Sequence, residues 1–268
     1  MNKELSTKEK ISIFLRSFFI QAGWNYLRYQ NIGYLFCVHG RLRKIYEKDE
    51  AFRKALLRNF EIFNTQPYMS CFVIGNALKM EEAPENPEKE KNILQIRQSL
   101  ACAYASIGDR LFWARLRIAA FAVTVFLVVL LMNPMDLSGL VKLSFLSLLL
   151  PTLLYAGFSV YIRWKGLGYG YDCGGKSSCG LDFMNWNRLI KFSSLAGFGL
   201  SAFLLVFFSF VFVYSAAGAG TARIPGHLLF AISAIAAQRY FRARKKDLGW
   251  TVGAVFIFSF AINLLVKI

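Results

Sequence analysis

Hydrophobic positions along the 268-residue chain follow two rhythms, and the change comes near residue 117. Before it, apolar residues recur at helical spacing among many charged ones. After it, they run together in stretches that approach or meet the roughly 17 to 25 residues a bilayer-spanning helix needs. Five stretches are expected to be membrane segments: Ile118 to Pro134, Leu140 to Ile162, Phe192 to Ala217, Ile224 to Ala237 and Trp250 to Val266. The fourth is short and is expected to be tilted, re-entrant, or completed by Gln238-Arg239-Tyr240-Phe241. The polar break Met135-Asp136-Leu137-Ser138-Gly139 separates the first pair. This pattern predicts an all-α polytopic membrane protein. Residues 1–117 form an amphipathic, cytoplasm-facing region with possible re-entrant segments, and residues 118–268 form the transmembrane region.

Within the first region, Ile11, Phe14, Leu15, Phe18, Phe19 and Ala22 recur at helical spacing opposite Ser12, Arg16, Ser17 and Gln21, which predicts an amphipathic helix. Its basic surroundings (Lys8, Lys10, Arg28) suit an anionic membrane face, and packing against a protein partner would account for the same stripe. Glu81 to Lys91, rich in Glu, Pro and Lys, reads as a solvated loop.

Composition agrees with lipid as the main solvent: 56% of residues are hydrophobic and only 18% charged. The net charge of +16 is explained by topology, without a nucleic-acid partner. Of the 32 Lys and Arg, 19 precede residue 118, five lie in Arg163 to Lys191 and five in Arg239 to Lys246. If all these segments are cytoplasmic, the positive-inside rule is met by 29 of 32, leaving Lys142, Arg223 and Lys267. The opening MNKELSTKEK lacks an apolar signal core, so the N-terminus is expected in the cytoplasm. Five spans would then put the C-terminus outside.

Cys37, Cys71, Cys102, Cys173 and Cys179 are odd in number and irregularly spaced, so reduced thiols are expected rather than a disulfide framework or a metal knuckle. His39 and His227 have no neighbours suited to metal binding or nucleophilic catalysis and read as structural. Gly170 to Ser177 matches the GxxxxGK(S/T) spacing of a phosphate-cradling loop, but the element before it is apolar span rather than strand. A flexible glycine-rich loop is expected there, with no nucleotide, metal or other cofactor.

Two clusters, Phe63-Asn64-Thr65-Gln66-Pro67-Tyr68 and Gly108-Asp109-Arg110-Leu111-Phe112-Trp113, place hydrogen-bonding side chains beside apolar segments, where unpaired polar groups are costly. Both are expected at helix breaks of the kind where transporters bind substrate. A sugar site would use Asn64, Gln66 and Asp109 to bond hydroxyls and Trp113 to stack on a ring. For Asp109 an internal ion pair with Arg110, Arg115 or Arg117 is the expected alternative.

These residues carry a resemblance. RSFFIQAGWNYLRYQNIGYLF (Arg16 to Phe36) is similar to the opening RSxxxQxSWNYERMQNxGxxF of the enzyme IID subunits of mannose/fructose/sorbose-family phosphotransferase systems. FNTQPYM resembles that family's FNTHPYM with Gln66 in the histidine's place, Ala77 to Glu82 its ALAMEE-like stretch, and GDRLFWARLR its GDSLFWGTLR. A weaker likeness continues through Arg163 to Tyr171 and beyond. The resemblance implies a bacterial inner-membrane subunit that joins a IIC partner in a hetero-oligomer. That unit would import a hexose or amino sugar, phosphorylated at the expense of soluble IIA and IIB carriers, with no catalytic residue in this chain. The sequence departs from the family at Ala101 to Arg110, where better helix formers replace glycine and proline, and at Lys191, where an acidic residue is typical. These departures imply an alternative: a IID-like scaffold or regulator that docks phosphotransfer proteins and has lost transport.

Overall fold

The computed structural model describes residues 4–131, 137–218 and 239. Among them lie eight α-helices: α1 (Thr7–Ser17), α2 (Asn31–Ile45), α3 (Asp49–Asn59), α4 (Ser70–Glu81), α5 (Lys89–Gly108), α6 (Arg117–Leu131), α7 (Leu137–Asp172) and α8 (Trp186–Gly218). A π-helical segment, Asp109–Leu116, joins α5 to α6 without a break. No strand occurs among the described residues, only isolated bridges from Asn25 to Tyr29 and from Tyr29 to Phe63. The chain divides into two compact units, Met1–Ser201 and Ala202–Ile268. The first three expected membrane segments coincide with α6, α7 and α8 where these are described. The fourth and fifth, His227, the basic run Arg242 to Lys246 and the Met135-Asp136 part of the polar break lie outside the described residues.

Among the described residues, two runs are long and apolar enough to cross a membrane, Lys89–Val128 and Trp186–Phe207. On the described part of α8 Phe192, Leu195 and Phe198 are exposed, while Trp186 and Ile190 at its start are buried. α7 behaves differently along its length. Leu148, Leu153, Leu154 and Tyr161 are exposed, whereas Ile162, Arg163, Leu167 and Tyr171 are buried against the N-terminal helices. The loop expected from Arg163 is therefore helical to Asp172, because its apolar and small residues have a partner helix to cover.

That partner is α4, in which every residue from Ser70 to Leu78 is buried. At twelve residues it is too short to span a bilayer, and it forms the core instead. Gly75 faces α7 so closely that a methyl group there would lie 2.5 Å from the Leu167 carbonyl oxygen and 2.6 Å from the Tyr171 nitrogen. Gly170 meets the backbone of Phe72 in the same way. Small residues at such crossings let helix backbones pack without intervening side chains.

α1 begins with a capping box: the Ser6 amide donates to Glu9 Oε2 at 2.9 Å and the Glu9 amide to Ser6 Oγ at 3.4 Å. Its core-facing residues are Ile13 and Ser17, with Ile20 just beyond. Most of the expected apolar stripe points outward: Ile11, Leu15, Phe18 and Phe19 are exposed. The Arg163 guanidinium donates to the Ser17 carbonyl and, at 3.2 Å, to Ser17 Oγ, which caps the C-terminal end of α1 with a cation. Arg163 is 3% exposed, so this member of the expected cytoplasmic cation set is a buried tie between α1 and α7.

The expected solvated loop from Glu81 to Lys91 is exposed from Ala83 to Glu88, but its two ends differ. Glu81 and Lys89 are both buried and belong to one charged network. Glu81 accepts from Arg58 Nη2 at 2.5 Å, Asn59 Nδ2 at 2.6 Å and the Tyr46 hydroxyl at 2.8 Å. Lys89 Nζ donates to the Tyr46 hydroxyl, the carbonyls of Glu81 and Ala83, and Glu85. Composition suggested water because the residues are charged, but Glu81 and Lys89 each have protein partners. Burial would lower the Arg58 guanidinium, yet its bonds to Glu81 push it above the ordinary arginine range. Burial, and then Glu81, push the Tyr46 hydroxyl up.

Cys173 and Cys179 form a disulfide with Cα atoms 5.6 Å apart, contrary to the expectation of free thiols. The glycine-rich turn after α7 folds back within six residues and brings them into bridging range. Cys37, Cys71 and Cys102 are free.

Candidate functional site

The link from α3 to α4 carries Phe63-Asn64-Thr65-Gln66-Pro67-Tyr68-Met69, and here the expected helix break is present. Pro67 has no amide hydrogen and disfavours helix in the residue before it. The extended backbone is held by Gln30. Its Nε2 donates to the Thr65 carbonyl at 2.9 Å, and its Oε1 accepts the Thr65 amide at 3.0 Å. The Gln30 amide also donates to the Phe63 carbonyl at 2.8 Å. One carboxamide thus satisfies a buried backbone pair as a neighbouring strand would. Thr65 Oγ1 donates to the Ala101 carbonyl at 2.9 Å, which fixes the link to α5. The segments around Gln30 and Thr65, far apart in sequence, form one ledge.

On this ledge Asn64 is exposed, and no hydrogen bond engages its side chain among the described residues. Gln66 is 1% exposed. Its Oε1 accepts the Tyr68 amide at 2.7 Å, while its Nε2 is buried without a hydrogen-bond partner among the described residues. Gln66 lies against Gly108, where a methyl group would stand 2.5 Å from its Cβ. A glycine is needed for that approach, so Gly108 brings the second cluster to the first.

Asp109 follows as the first residue of the π segment. The expected break is absent here: α5, the π segment and α6 continue as one helical run. π-helical turns are rare and often mark functional sites. Asp109 and Arg110 are exposed, and Asp109 forms no ion pair among the described residues, contrary to the expected internal pairing. Adjacent positions on a helix do not face each other, which explains why proximity in sequence failed as a guide. Trp113 is 40% exposed and has no ring contact among the described residues. Gln66 and the start of the π segment are therefore together, while no contact joins Asn64 to Trp113.

Four aromatic residues that were not among the expected sugar-binding side chains complete the surroundings. The Tyr68 ring lies 4.9 Å from Phe112 and 6.0 Å from Tyr155, and Phe112 lies 5.7 Å from Phe158. The Arg163 guanidinium stands 5.7 Å from the Tyr68 ring centroid. Tyr68 and Phe112 were within the quoted clusters, whereas nothing in the sequence marks Tyr155 or Phe158 as neighbours. A free amide, an exposed carboxamide, an exposed carboxylate and half-buried aromatic faces can together bond hydroxyls and stack on a sugar ring.

The remaining motifs do not build sites. Gly170 to Asp172 is the last turn of α7, and the residues after it form the disulfide-closed turn, so no strand–loop–helix cradle exists there. His39 is exposed and contacts the Phe52 ring edge-on at 5.5 Å. No group of three or more His, Cys, Asp or Glu able to hold a metal occurs among the described residues.

Comparison with known proteins places this geometry in context. The profile of the PTS system mannose/fructose/sorbose family IID component matches residues 4–194. The mannose-specific EIID component of Escherichia coli K12 is 32% identical over 178 residues, which cover 64% of this chain and 58% of that protein. The fructose permease IID component of Bacillus subtilis 168 is 32% identical over 117 residues, 43% of this chain and 42% of the relative. The matches thus span less than two thirds of these relatives' length. A cryo-EM structure of the mannose transporter ManYZ in complex with microcin E492 contains a chain similar in fold, with a TM-score of 0.51 and 27% identity over 76% of this chain and 71% of that one. A second membrane-protein structure shares the fold at a TM-score of 0.65 and 23% identity, over 97% of both chains.

Proposed function

The chain belongs to the PTS mannose/fructose/sorbose family of IID components, and from that premise we propose that it is the membrane subunit that pairs with a IIC chain to import and phosphorylate a sugar. The soluble IIA and IIB proteins would carry the phosphate, and this chain would supply part of the sugar path. The N-terminal helices face the cytoplasm of a bacterial inner membrane, and the membrane is crossed about five times, including the segments beyond Gly218. The region before residue 118 is the part that presents the site.

The observation that carries this reading is the meeting of Gln66 and Gly108. It joins the two family-like clusters and leaves a buried amide donor with its hydrogen-bonding capacity unused. Asn64 and Asp109 add exposed polar groups, and Trp113 adds an exposed aromatic face. Sugar uptake by cells carrying the chain with its IIC, IIB and IIA partners tests the assignment. Gln66→Ala and Asn64→Ala are expected to reduce uptake about five- to twelvefold, since losing one hydrogen bond to a bound hydroxyl costs about 1 to 1.5 kcal/mol. Lys54→Ala, on the exposed face of α3, should leave it unchanged. Equal effects of all three would overturn the site, and no uptake or phosphorylation of any hexose or amino sugar by the intact system would overturn the function.

A further inference from the structure

A groove of about 340 Å³ runs between α1 and α2, and its charge is unbalanced. Lys8, Arg16, Arg41 and Lys44 line it with the hydroxyl-bearing Ser6 and Ser12, against the single carboxylate of Glu9. Arg41 is committed to Glu9 at 2.9 Å and to Glu82 at 2.6 Å. The other cations are less occupied. Lys8 has no ion pair among the described residues, Lys44 reaches Glu9 at 3.2 Å while remaining 64% exposed, and Arg16 crosses to the Phe36 carbonyl at 3.2 Å without meeting a carboxylate. The groove therefore carries more positive charge than its own acid can neutralise.

The adjoining surface of α1 is apolar. At 100° per residue, Ile11 and Leu15 follow the sector of Lys8, Ser12 and Arg16, and both are exposed, as is Phe19 in the turn just after α1. This apolar face continues onto the outward face of α7, where the Phe14 ring meets Trp164 at 5.2 Å and the exposed Tyr161 lies one turn earlier. Free phosphate would use the cations and leave the apolar face unexplained. A bound protein segment would not require continuity with α7. An amphipathic helix edged by lysine and arginine, with exposed Leu and Phe beside them, is the arrangement that lies in an anionic membrane interface.

We propose that the α1–α2 groove binds the phosphate headgroup of an acidic phospholipid, with its acyl chains lying on Ile11, Leu15 and Phe19. Lys8 and Lys44 would contact the headgroup directly, and Arg16 would close the groove. The site does not depend on whether the chain carries sugar.

The test uses the full chain in neutral detergent. Thermal stabilisation is measured on titration with phosphatidylglycerol, phosphatidylcholine and inorganic phosphate, and a diazirine-bearing phosphatidylglycerol is photo-crosslinked and mapped by mass spectrometry. Phosphatidylglycerol should stabilise, the other two should not, and the label should fall on α1. Lys8→Ala/Lys44→Ala should weaken phosphatidylglycerol binding about thirtyfold, following the usual contribution of a lysine at an anionic surface. The charge-matched pair Lys48→Ala/Lys54→Ala should not. Equal stabilisation by phosphatidylcholine or by inorganic phosphate, equal losses in the two double variants, or labelling that bypasses α1 would each overturn the proposal. Because the crosslink is read on the unmodified chain, an unstable variant does not blur the result.

Discussion

α4 and the described part of α8 are both rich in apolar residues, yet one is enclosed by protein and the other presents Phe192, Leu195 and Phe198 outward. Hydrophobicity does not separate them. Residue size and polar interruptions do. α4 interleaves Ser70, Cys71, Gly75, Asn76 and Ala77 with its large side chains, so a second backbone can approach, and its end is anchored by Glu81. α8 carries bulky residues at Phe192, Leu195 and Phe198 that stay exposed among the described residues. In a membrane protein, the helices that pack against protein are marked by small residues and satisfied polar groups, and those that face lipid by large apolar ones.

The contrast can be broken first at Glu81. Glu81→Ala leaves Arg58 buried without its acid and Asn59 and Tyr46 without their acceptor, and a loss of about 3 to 5 kcal/mol is expected, read as a fall in the midpoint of thermal unfolding in detergent. Gly75→Leu is next. Its side chain would have to displace the α7 backbone at Leu167, with an expected loss of about 3 kcal/mol or failure to yield monodisperse protein. If either variant behaves like wild type, α4 is not the enclosed helix described.

A third, smaller effect concerns acid. Burial by itself raises the Glu9 carboxyl, but hydrogen bonds from the Ser6 hydroxyl and amide, then from Arg41 and Lys44, outweigh it and hold the group at about 2. A depressed carboxyl stabilises the fold above its unfolded value, near 4.5, and that contribution is lost as pH falls from there towards 2. Glu9→Gln should therefore be less stable at pH 7 and show a flatter acid limb between these values. An acid limb identical to wild type would exclude this role. The smallest effect is expected at the lipid-facing surface: Leu195→Ala should change stability by less than about 0.5 kcal/mol, and a large loss there would show that α8 is covered by protein.

Much of this was legible in the chain. Long apolar runs marked α6, α7 and α8, periodicity marked α1, and Pro67 marked the interruption before α4. What escaped had physical causes. Periodicity is blind to α4 because a helix apolar on every side has no stripe. Lys89 and Arg163 looked solvated because a charge in sequence does not reveal whether a partner is waiting in space. Asp109 looked paired because neighbours in sequence were taken as neighbours on a helix. The candidate site was visible as two clusters, but their junction at Gln66 and Gly108, the bracing by Gln30 and the neighbouring Tyr155 required the fold.

The uninterrupted run from α5 through the π segment into α6 has a mechanical consequence. Its 40 residues from Lys89 to Val128 would extend about 60 Å at helical rise, roughly twice the thickness of the hydrocarbon layer. Such a rod acts as a lever. It ties the charged network at Lys89 to the π segment that begins at Asp109, the departure from α-helical winding along this run, so a displacement at one end is carried to the other along a single axis.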